Sequence, residues 1–330
     1  MRSTTQTNHV NDVRCCILGA TGFIGGQIAR AAVARGWQVR AVRRHPASTG
    51  AIGDLPVEWA QADLRDARSL VAAMRGCEML FHAAAAYPQD FRHLEHAVAE
   101  ASAEMQRVLD AAREADVRRV IYTSSLTTLA QRFTPGMRAL DERDFYTPGA
   151  AHSAYYEAKR AMEQLALAAR DLEVVALLPT AVFGPGDVKP TTSLVIREAA
   201  RGRIPIYFDA VINCVDGRDV AASHIAAAER GRAGERYVLG GHNLTMRELL
   251  ETVDRCQGVR RRRLHVSRGL VRAVIRLADA LPFVSLPENV RTFEFWGPVS
   301  SRKAEVVLGH AARPFAETVR DTLVWFGISQ

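Results

Sequence analysis

Residues 15–25 read CCILGATGFIG and place glycines at Gly19, Gly22 and Gly25, a G-x-x-G-x-x-G spacing. The apolar residues before Gly19 predict a short buried strand, and the alanine-rich run 27–35 predicts a helix. A glycine turn between a strand and a helix lets the backbone approach a pyrophosphate, which the positive end of the helix attracts. Because the glycine triplet has this context, the segment predicts a dinucleotide-binding turn.

The totals place the chain among globular proteins. It has 330 residues, of which 48% are hydrophobic and 24% charged, enough for a large domain and a smaller one. No apolar run approaches the roughly 20 residues of a transmembrane helix. Residues 1–12 are polar and lack the apolar stretch of a signal peptide, and the five cysteines show no metal-ligand spacing. We expect a flexible tail over 1–12, no metal, no integral membrane segment and a cytoplasmic location.

The net charge of +7 comes largely from a local cluster, above all the four arginines at 260–263. No nucleic-acid-binding motif accompanies them, so a solvated basic surface is favoured over nucleic acid. The stretch 259–281 is basic and amphipathic, as in helices that lie on a membrane surface. Burial favours the other interpretation, a helix pair that packs the smaller domain, and leaves weak peripheral membrane contact as the alternative.

A second strand is predicted over 38–42 and ends in Arg43 and Arg44. An acid at this strand end accepts hydrogen bonds from the ribose of NAD, whereas cations suit the 2′-phosphate of NADP. Unless these arginines merely lie in a solvated loop, they favour NADP(H) over NAD(H).

Two further strands are predicted next, over 57–61 and 79–82. Asp63 follows the first of them and either binds the adenine amino group or caps the helix predicted over 65–74. The second runs into four alanines, whose small side chains let a cofactor approach the backbone. His82 at its end is interpreted as a structural residue.

The chemistry-bearing residues come in two segments. A strand predicted over 119–122 ends in the hydroxyl residues 123–125, and a helix predicted over 153–169 carries Tyr155 and Lys159 one turn apart. A lysine ammonium near a phenol lowers the phenol pKa from about 10. The tyrosine then becomes a usable acid or base for a carbonyl or secondary alcohol, whose oxygen a serine hydroxyl can hold.

The complete pattern predicts an α/β fold, a Rossmann-like doubly wound parallel sheet of about seven strands with a smaller C-terminal substrate domain. A sixth strand over 174–178, a helix over 194–200 and a final strand over 237–240 complete the prediction. The expected domains are a cofactor-binding domain over 13–184 plus 206–239 and a substrate domain over 185–205 plus 240–330.

Together these segments resemble the extended short-chain dehydrogenases/reductases of the NAD-dependent epimerase/dehydratase family, over nearly the whole chain. Residues 183–191 (FGPGDVKPT) and 234–241 (GERYVLGG) further resemble the hopanoid-associated sugar epimerases. That group is similar to the dihydroflavonol 4-reductase-like enzymes.

The resemblance implies a catalytic triad of Ser125, Tyr155 and Lys159. Ser125 is preferred to Ser124 because it aligns with the last serine of the family's strand-end pattern. Arg44 aligns with the arginine that reductase members use for the 2′-phosphate. The cofactor-binding residues expected from the motifs and the resemblance are Gly19, Thr21, Gly22, Phe23, Ile24, Gly25, Arg43, Arg44, Asp63, Leu64, Ala83, Ala84, Ala85, Thr123, Tyr155, Lys159, Pro179, Thr180 and Val182.

One segment departs from the family. Residues 101–105 read ASAEM where the family usually has an asparagine followed by Val-x-Gly-Thr. That asparagine normally holds backbone and water in the active-site region, so its absence bears on the proton path and on the local helix geometry. Relatives often form a dimer through a bundle that would include the helix of Tyr155, and a homodimer is expected.

The leading functional prediction is NAD(P)-dependent redox chemistry on a small-molecule ketone or secondary alcohol. NADPH would reduce the carbonyl carbon while Tyr155 protonates the oxygen that Ser125 polarises, and Lys159 would also hold the nicotinamide ribose. A nucleotide-sugar epimerase or dehydratase of the hopanoid-associated kind, with tightly bound cofactor, is the first alternative. An NADP-binding sensor or scaffold without turnover is the second.

Overall fold

The computed structural model of the chain describes residues 13–84, 94–280, 286 and 288–328. The twelve strands in these ranges are β1 Arg14–Leu18, β2 Gln38–Arg43, β3 Glu58–Gln61, β4 Met79–His82, β5 Arg119–Thr123, β6 Glu173–Pro179, β7 Ala181–Phe183, β8 Ile206–Phe208, β9 Val211–Asp216, β10 Arg236–Leu239, β11 His242–Thr245 and β12 Leu264–Val266. Seven of them form one sheet in the order β10-β6-β5-β4-β1-β2-β3, with every neighbouring pair parallel. The predicted doubly wound parallel sheet is confirmed.

The strand order reverses beside β1, which pairs with β2 on one side and with β4 on the other. In open α/β sheets a ligand binds in the crevice outside the carboxyl ends of the strands at such a switch point. The residue after β1 is Gly19 and the residues after β4 are Ala83 and Ala84. The topology therefore places the glycine turn at the expected ligand crevice.

The eleven α-helices of the described ranges are α1 Phe23–Ala34, α2 Ala67–Met74, α3 Leu94–Glu114, α4 Ala154–Ala168, α5 Leu194–Ala200, α6 Gly217–Arg230, α7 Met246–Cys256, α8 Arg268–Ala280, α9 Glu288–Arg291, α10 Arg302–Leu308 and α11 Phe315–Trp325. Helices α1, α6 and α10 cover one face of the central sheet, and α2, α3 and α4 cover the other. Because both faces are covered, β1 reads as a continuous apolar run, with Cys15, Cys16 and Ile17 fully buried.

A third core lies between α5, α7 and α11 and contains Phe183, Leu249 and Val319. Two small sheets accompany it, β11-β9-β7 and β12-β8. The strand predicted over 237–240 is β10, the last strand of the central sheet in chain order. It is not the last strand of the chain, because β11 follows and pairs antiparallel with β9, and β12 pairs with β8. The domain boundaries and the tail over 1–12 stay predictions, the tail lying outside the described residues.

The described part of the basic stretch, residues 259–280, forms β12 and one helix, α8, so the expected helix pair was wrong. Across the described ranges, no helix combines the length and the apolar character needed to span a bilayer.

Candidate active site

The glycine turn has no room for side chains. Gly19 has φ +83°, and a Cβ there would lie 2.7 Å from the backbone nitrogen of Ala84. A Cβ on Gly25 would lie 2.1 Å from the carbonyl oxygen of Gly19, so the first turn of α1 packs directly on the end of β1. The N–H of Gly22 donates to that same oxygen at 2.9 Å and closes the turn. The two steric contacts explain why glycine occupies positions 19 and 25.

The start of α1 is open to an anion. Its N-cap is the exposed Gly22, its first turn holds no acid, and within the described residues no side chain caps it. Thr21, Phe23 and Ile24 are half-buried around it. The ring of Phe23 packs toward Gly217 rather than across the helix end. The free N–H groups and the helix dipole therefore face the crevice, as phosphate binding requires.

Two arginines stand at the end of β2. The guanidinium of Arg43 lies 4.7 Å from the ring centre of Trp59. Arg44 is exposed, and its Nε lies 3.3 Å from Nε2 of His45. Neither arginine forms an ion pair with a residue in the described ranges, so both charges are available to a ligand.

Asp63 follows β3 beside these arginines. Its carboxylate accepts a hydrogen bond from the N–H of Arg65 at 2.9 Å. The cap of α2 is Asp66, which accepts from the N–H of Arg68, so the capping alternative for Asp63 was wrong. The neighbouring Leu64 is half-buried.

The end of β4 is lined by small residues. Ala83 and Ala84 are half-buried, whereas Ala85 lies outside the described residues. His82 is buried, and neither ring nitrogen has a hydrogen-bond partner in the described part of the chain. Burial, together with the charge of Lys159, lowers the pKa of His82 to about 3. The imidazole is therefore neutral, in agreement with a structural interpretation.

The two serines after β5 face different surroundings. Ser125 caps a 3-10 turn over Leu126–Thr128, its Oγ accepting the N–H of Thr127 at 3.2 Å. The hydroxyl of Ser124 instead donates to the carboxylate of Glu163 on α4. Because the hydroxyl of Ser124 is already used in this hydrogen bond, Ser125 is the better candidate for the serine of the triad.

Helix α4 begins after Ser153, whose hydroxyl accepts the N–H of Tyr156 at 3.3 Å. Tyr155 in its first turn is half-buried, and Lys159 one turn later is buried. The Nζ of Lys159 donates to the carbonyl oxygen of Thr123 at 3.0 Å. Burial lowers the pKa of Lys159 to about 8. The structure therefore brings the lysine of the predicted triad to the strand end that leads into Ser125.

Other predicted cofactor residues surround this strand end. The Oγ1 of Thr123 lies 2.9 Å from Nε2 of His224, so that hydroxyl is already engaged on α6. Pro179, Thr180 and Val182 are buried at the end of β6 and in β7. The N–H of Thr180 donates to the carbonyl of Leu239 at 3.2 Å.

A buried ion pair behind the site was missed at the sequence level. Glu163 Oε1 lies 2.8 Å from Nε of Arg236, and both side chains are buried. Thr128 Oγ1 donates to the same carboxylate at 2.9 Å, and Arg236 in turn donates to Thr128 Oγ1 at 3.0 Å. Glu163 stands one turn beyond Lys159 on the same helix face, a spacing that could have identified it.

The segment that departs from the family lies in α3. Ala101 and Met105 are buried in the core on that side of the sheet. Glu104 is buried as well, and its Oε2 has no partner within the described ranges. Burial raises the pKa of this carboxyl group. An acid therefore occupies the position of the family's glycine.

Comparison with known proteins agrees with this architecture. A family model described as the NAD dependent epimerase/dehydratase family matches residues 15–240. Sterol demethylase protein B of Methylococcus capsulatus is 31% identical over 282 residues, which are 84% of this chain and 85% of that protein. Dihydroflavonol 4-reductase of Zea mays is 30% identical over 260 residues, 71% of each chain.

A solved structure gives the same result. The crystal structure of a nucleoside-diphosphate-sugar epimerase from Pseudomonas aeruginosa has a TM-score of 0.81 and 27% identity, covering 96% of this chain and 97% of that one. The chain therefore belongs to the NAD-dependent epimerase/dehydratase family and is an NAD(P)-dependent oxidoreductase or epimerase of the extended short-chain dehydrogenase/reductase type.

Proposed function

We propose that this enzyme is an NADP(H)-dependent reductase of a ketone, using Ser125, Tyr155 and Lys159. The observation that carries the proposal is the buried ammonium of Lys159, hydrogen-bonded to the carbonyl oxygen of Thr123. It lies one turn from Tyr155 and beside the strand end that leads into Ser125. The likeness to a dihydroflavonol 4-reductase supports reduction as the reaction.

The residues present fit a dinucleotide. A Cβ at Gly19 or Gly25 would fill the space between β1, α1 and Ala84, so the turn keeps its backbone accessible to a pyrophosphate. The cations of Arg43 and Arg44 are available at the end of β2, where a 2′-phosphate would be held by charge-assisted hydrogen bonds. These features support NADP(H) over NAD(H).

A bound nicotinamide supplies hydride exchange with the substrate carbon. The protein's own residues bind and protonate the carbonyl oxygen of the substrate. Ser125 donates its hydroxyl to that oxygen, and Tyr155 transfers a proton to it as the alkoxide forms. The positive charge of Lys159 favours the phenolate that remains, which makes Tyr155 a stronger acid than free tyrosine.

A second candidate function is nucleotide-sugar epimerisation with a retained cofactor. The structural match to the Pseudomonas aeruginosa epimerase and the segments 183–191 and 234–241 favour it. The altered segment 101–105 is the feature that favours a sensor or scaffold without turnover. Assembly as a homodimer through α4 is kept as a prediction.

Replacement of the tyrosine tests the catalytic proposal. Tyr155→Phe should lower kcat for ketone reduction by about a thousandfold, within the range of general-acid catalysis, and leave the Kd of NADPH unchanged. Tyr156→Phe is the matched control, because Tyr156 packs edge-on against Phe295 at 5.9 Å and is given no chemical role. If Tyr155→Phe reduces ketones as fast as the wild type, the catalytic assignment is wrong.

A further inference from the structure

Helix α8 carries an apolar ridge on its outward side. Leu270, Val274 and Leu277 are 56%, 49% and 62% exposed, and their i, i+4, i+7 spacing places them along one face. Val271 and Ala278 are buried and fix the inward direction of the helix. At about 100° per residue, the outward face has the ridge on one side and Arg276 on the other.

The chain around this helix is strongly basic. Residues 255–278 contain eight arginines and no acid. Two of the arginines are neutralised within the protein, because Arg261 and Arg263 form ion pairs with the buried carboxylate of Asp254, at 2.9 and 2.6 Å. Arg260 and Arg262 are exposed, as is Arg276. These three form no ion pair with any side chain that the structure describes, so their charge is directed to solvent.

The start of the helix contacts residues from two other segments of the chain. The guanidinium of Arg268, its first residue, lies 5.2 and 5.1 Å from the ring centres of Phe133 and Phe293. One turn later Arg272 forms an ion pair with Glu294. These contacts join the first two turns of α8 to Phe133, Phe293 and Glu294.

We propose that this surface, made of Arg260, Arg262, Leu270, Val274, Arg276 and Leu277, binds the enzyme to an anionic lipid membrane. Exposed apolar side chains and unpaired arginines within one stretch of chain, residues 260–277, suit the boundary between acyl chains and acidic headgroups. A second copy of the chain is disfavoured, because the same arginines would face each other. Nucleic acid would use the charge and leave the apolar ridge exposed. The inference does not depend on the reaction that the enzyme catalyses.

The test is co-sedimentation of the full chain with vesicles of equal parts phosphatidylglycerol and phosphatidylcholine, and with vesicles of phosphatidylcholine alone. Binding is expected to the anionic vesicles only and to weaken as salt is raised. Each arginine near an anionic surface strengthens binding by about fivefold, so removal of three should weaken it by roughly a hundredfold. The arginine variant is Arg260→Gln/Arg262→Gln/Arg276→Gln, and the apolar variant is Leu270→Ser/Val274→Ser/Leu277→Ser.

A charge-matched control separates the surface from net charge. Three exposed arginines elsewhere are replaced in it, as Arg68→Gln/Arg75→Gln/Arg232→Gln. The proposal requires this control to bind like the wild type while both variants of the α8 surface lose binding. It is overturned if the wild type does not bind anionic vesicles, or if the control loses as much affinity for them as the arginine variant. Self-association that only the apolar variant abolishes would also overturn it.

Discussion

The ammonium of Lys159 and the carbonyl oxygen of Thr123 lie 3.0 Å apart, joined by a hydrogen bond between α4 and the end of β5. Both groups are buried, so the lysine is charged in surroundings that disfavour its charge. Burial lowers its pKa from an ordinary 10.5 to about 8, and Glu163 on the next turn opposes that fall. The pair therefore keeps a titratable cation beside the proposed acid, Tyr155.

The loss of the proton from Lys159 should change kcat/KM as pH rises. If its positive charge is needed, kcat/KM for ketone reduction falls as pH rises above about 8. Lys159→Arg keeps a positive charge throughout this range, so its residual activity should lack that alkaline limb. A pH profile of kcat/KM for both proteins makes the comparison. An alkaline limb at the same pH in both would assign it to another group.

The same shift predicts a stability change. The folded-state pKa of Lys159 lies below the unfolded value, so between pH 8 and 10.5 the unfolded chain holds a proton that the folded chain has lost. The penalty for burying the charge is complete below pH 8 and fades as pH rises through that window. Lys159→Met should raise the free energy of unfolding at neutral pH by up to about 3 kcal/mol. Urea unfolding at neutral and alkaline pH measures the difference in the free energy of unfolding between the variant and the wild type. A difference that does not become smaller as pH rises contradicts the prediction.

The arginines after β2 should determine the choice of cofactor. The double variant Arg43→Ala/Arg44→Ala should raise the Kd of NADPH by about tenfold or more, because each hydrogen bond to a charged group contributes roughly 1.5–3 kcal/mol. NADH lacks the 2′-phosphate and is the internal control, with little change expected. Fluorescence titration gives both constants. An equal rise in the Kd of NADPH and of NADH would mean that the arginines stabilise the loop and do not bind the 2′-phosphate.

Two adjacent glycines give a matched pair for the phosphate turn. Gly25→Ala would place its Cβ 2.1 Å from the carbonyl oxygen of Gly19, so the turn must open. We expect a loss of about 1–3 kcal/mol in stability, as for overpacked cores, and the loss of cofactor binding. Gly26→Ala would meet its neighbours at 3.4 Å, an ordinary contact, and should bind cofactor normally. Thermal unfolding with and without NADPH measures the stability and the cofactor binding of both variants. Equal stability and equal cofactor binding of the two variants would contradict the argument from the Cβ contacts.

The buried pair of Glu163 and Arg236 should hold the segment that contains Ser125. Glu163→Gln leaves the buried guanidinium without its counter-charge and should cost about 3–5 kcal/mol of stability. The double variant Glu163→Leu/Arg236→Met removes both charges and should recover part of that loss. Urea unfolding measures all three proteins. A double variant less stable than Glu163→Gln would show that the pair stabilises the fold through its charges.

Several strands and helices could be predicted because their signals are local. The strand Met79–His82 and the helix Leu194–Ala200 have the bounds that the sequence indicates, since apolar runs and neighbouring breakers define them. Tyr155 and Lys159 were placed together because helical spacing is a property of the sequence. Their position beside Thr123 required the sheet.

The features that escaped prediction depend on tertiary contacts. Arg236 meets Glu163, and His224 meets Thr123, across large separations in sequence that no periodicity reveals. Strand β12 has only three residues and is stabilised by pairing with β8, a pattern too short to recognise. The amphipathic pattern of 259–281 was recognised from the sequence, but its exposure was not, because an apolar stripe on a helix normally indicates core.

The most direct test of the central claim is the cofactor content of the purified enzyme. Nucleotide released on denaturation would be identified, and NADPH and NADH would be titrated into the native protein. A reductase that exchanges its cofactor at each turnover should be purified without nucleotide and should bind NADPH more tightly than NADH. A tightly retained NAD would contradict the assignment of Arg43 and Arg44 and would favour nucleotide-sugar epimerisation.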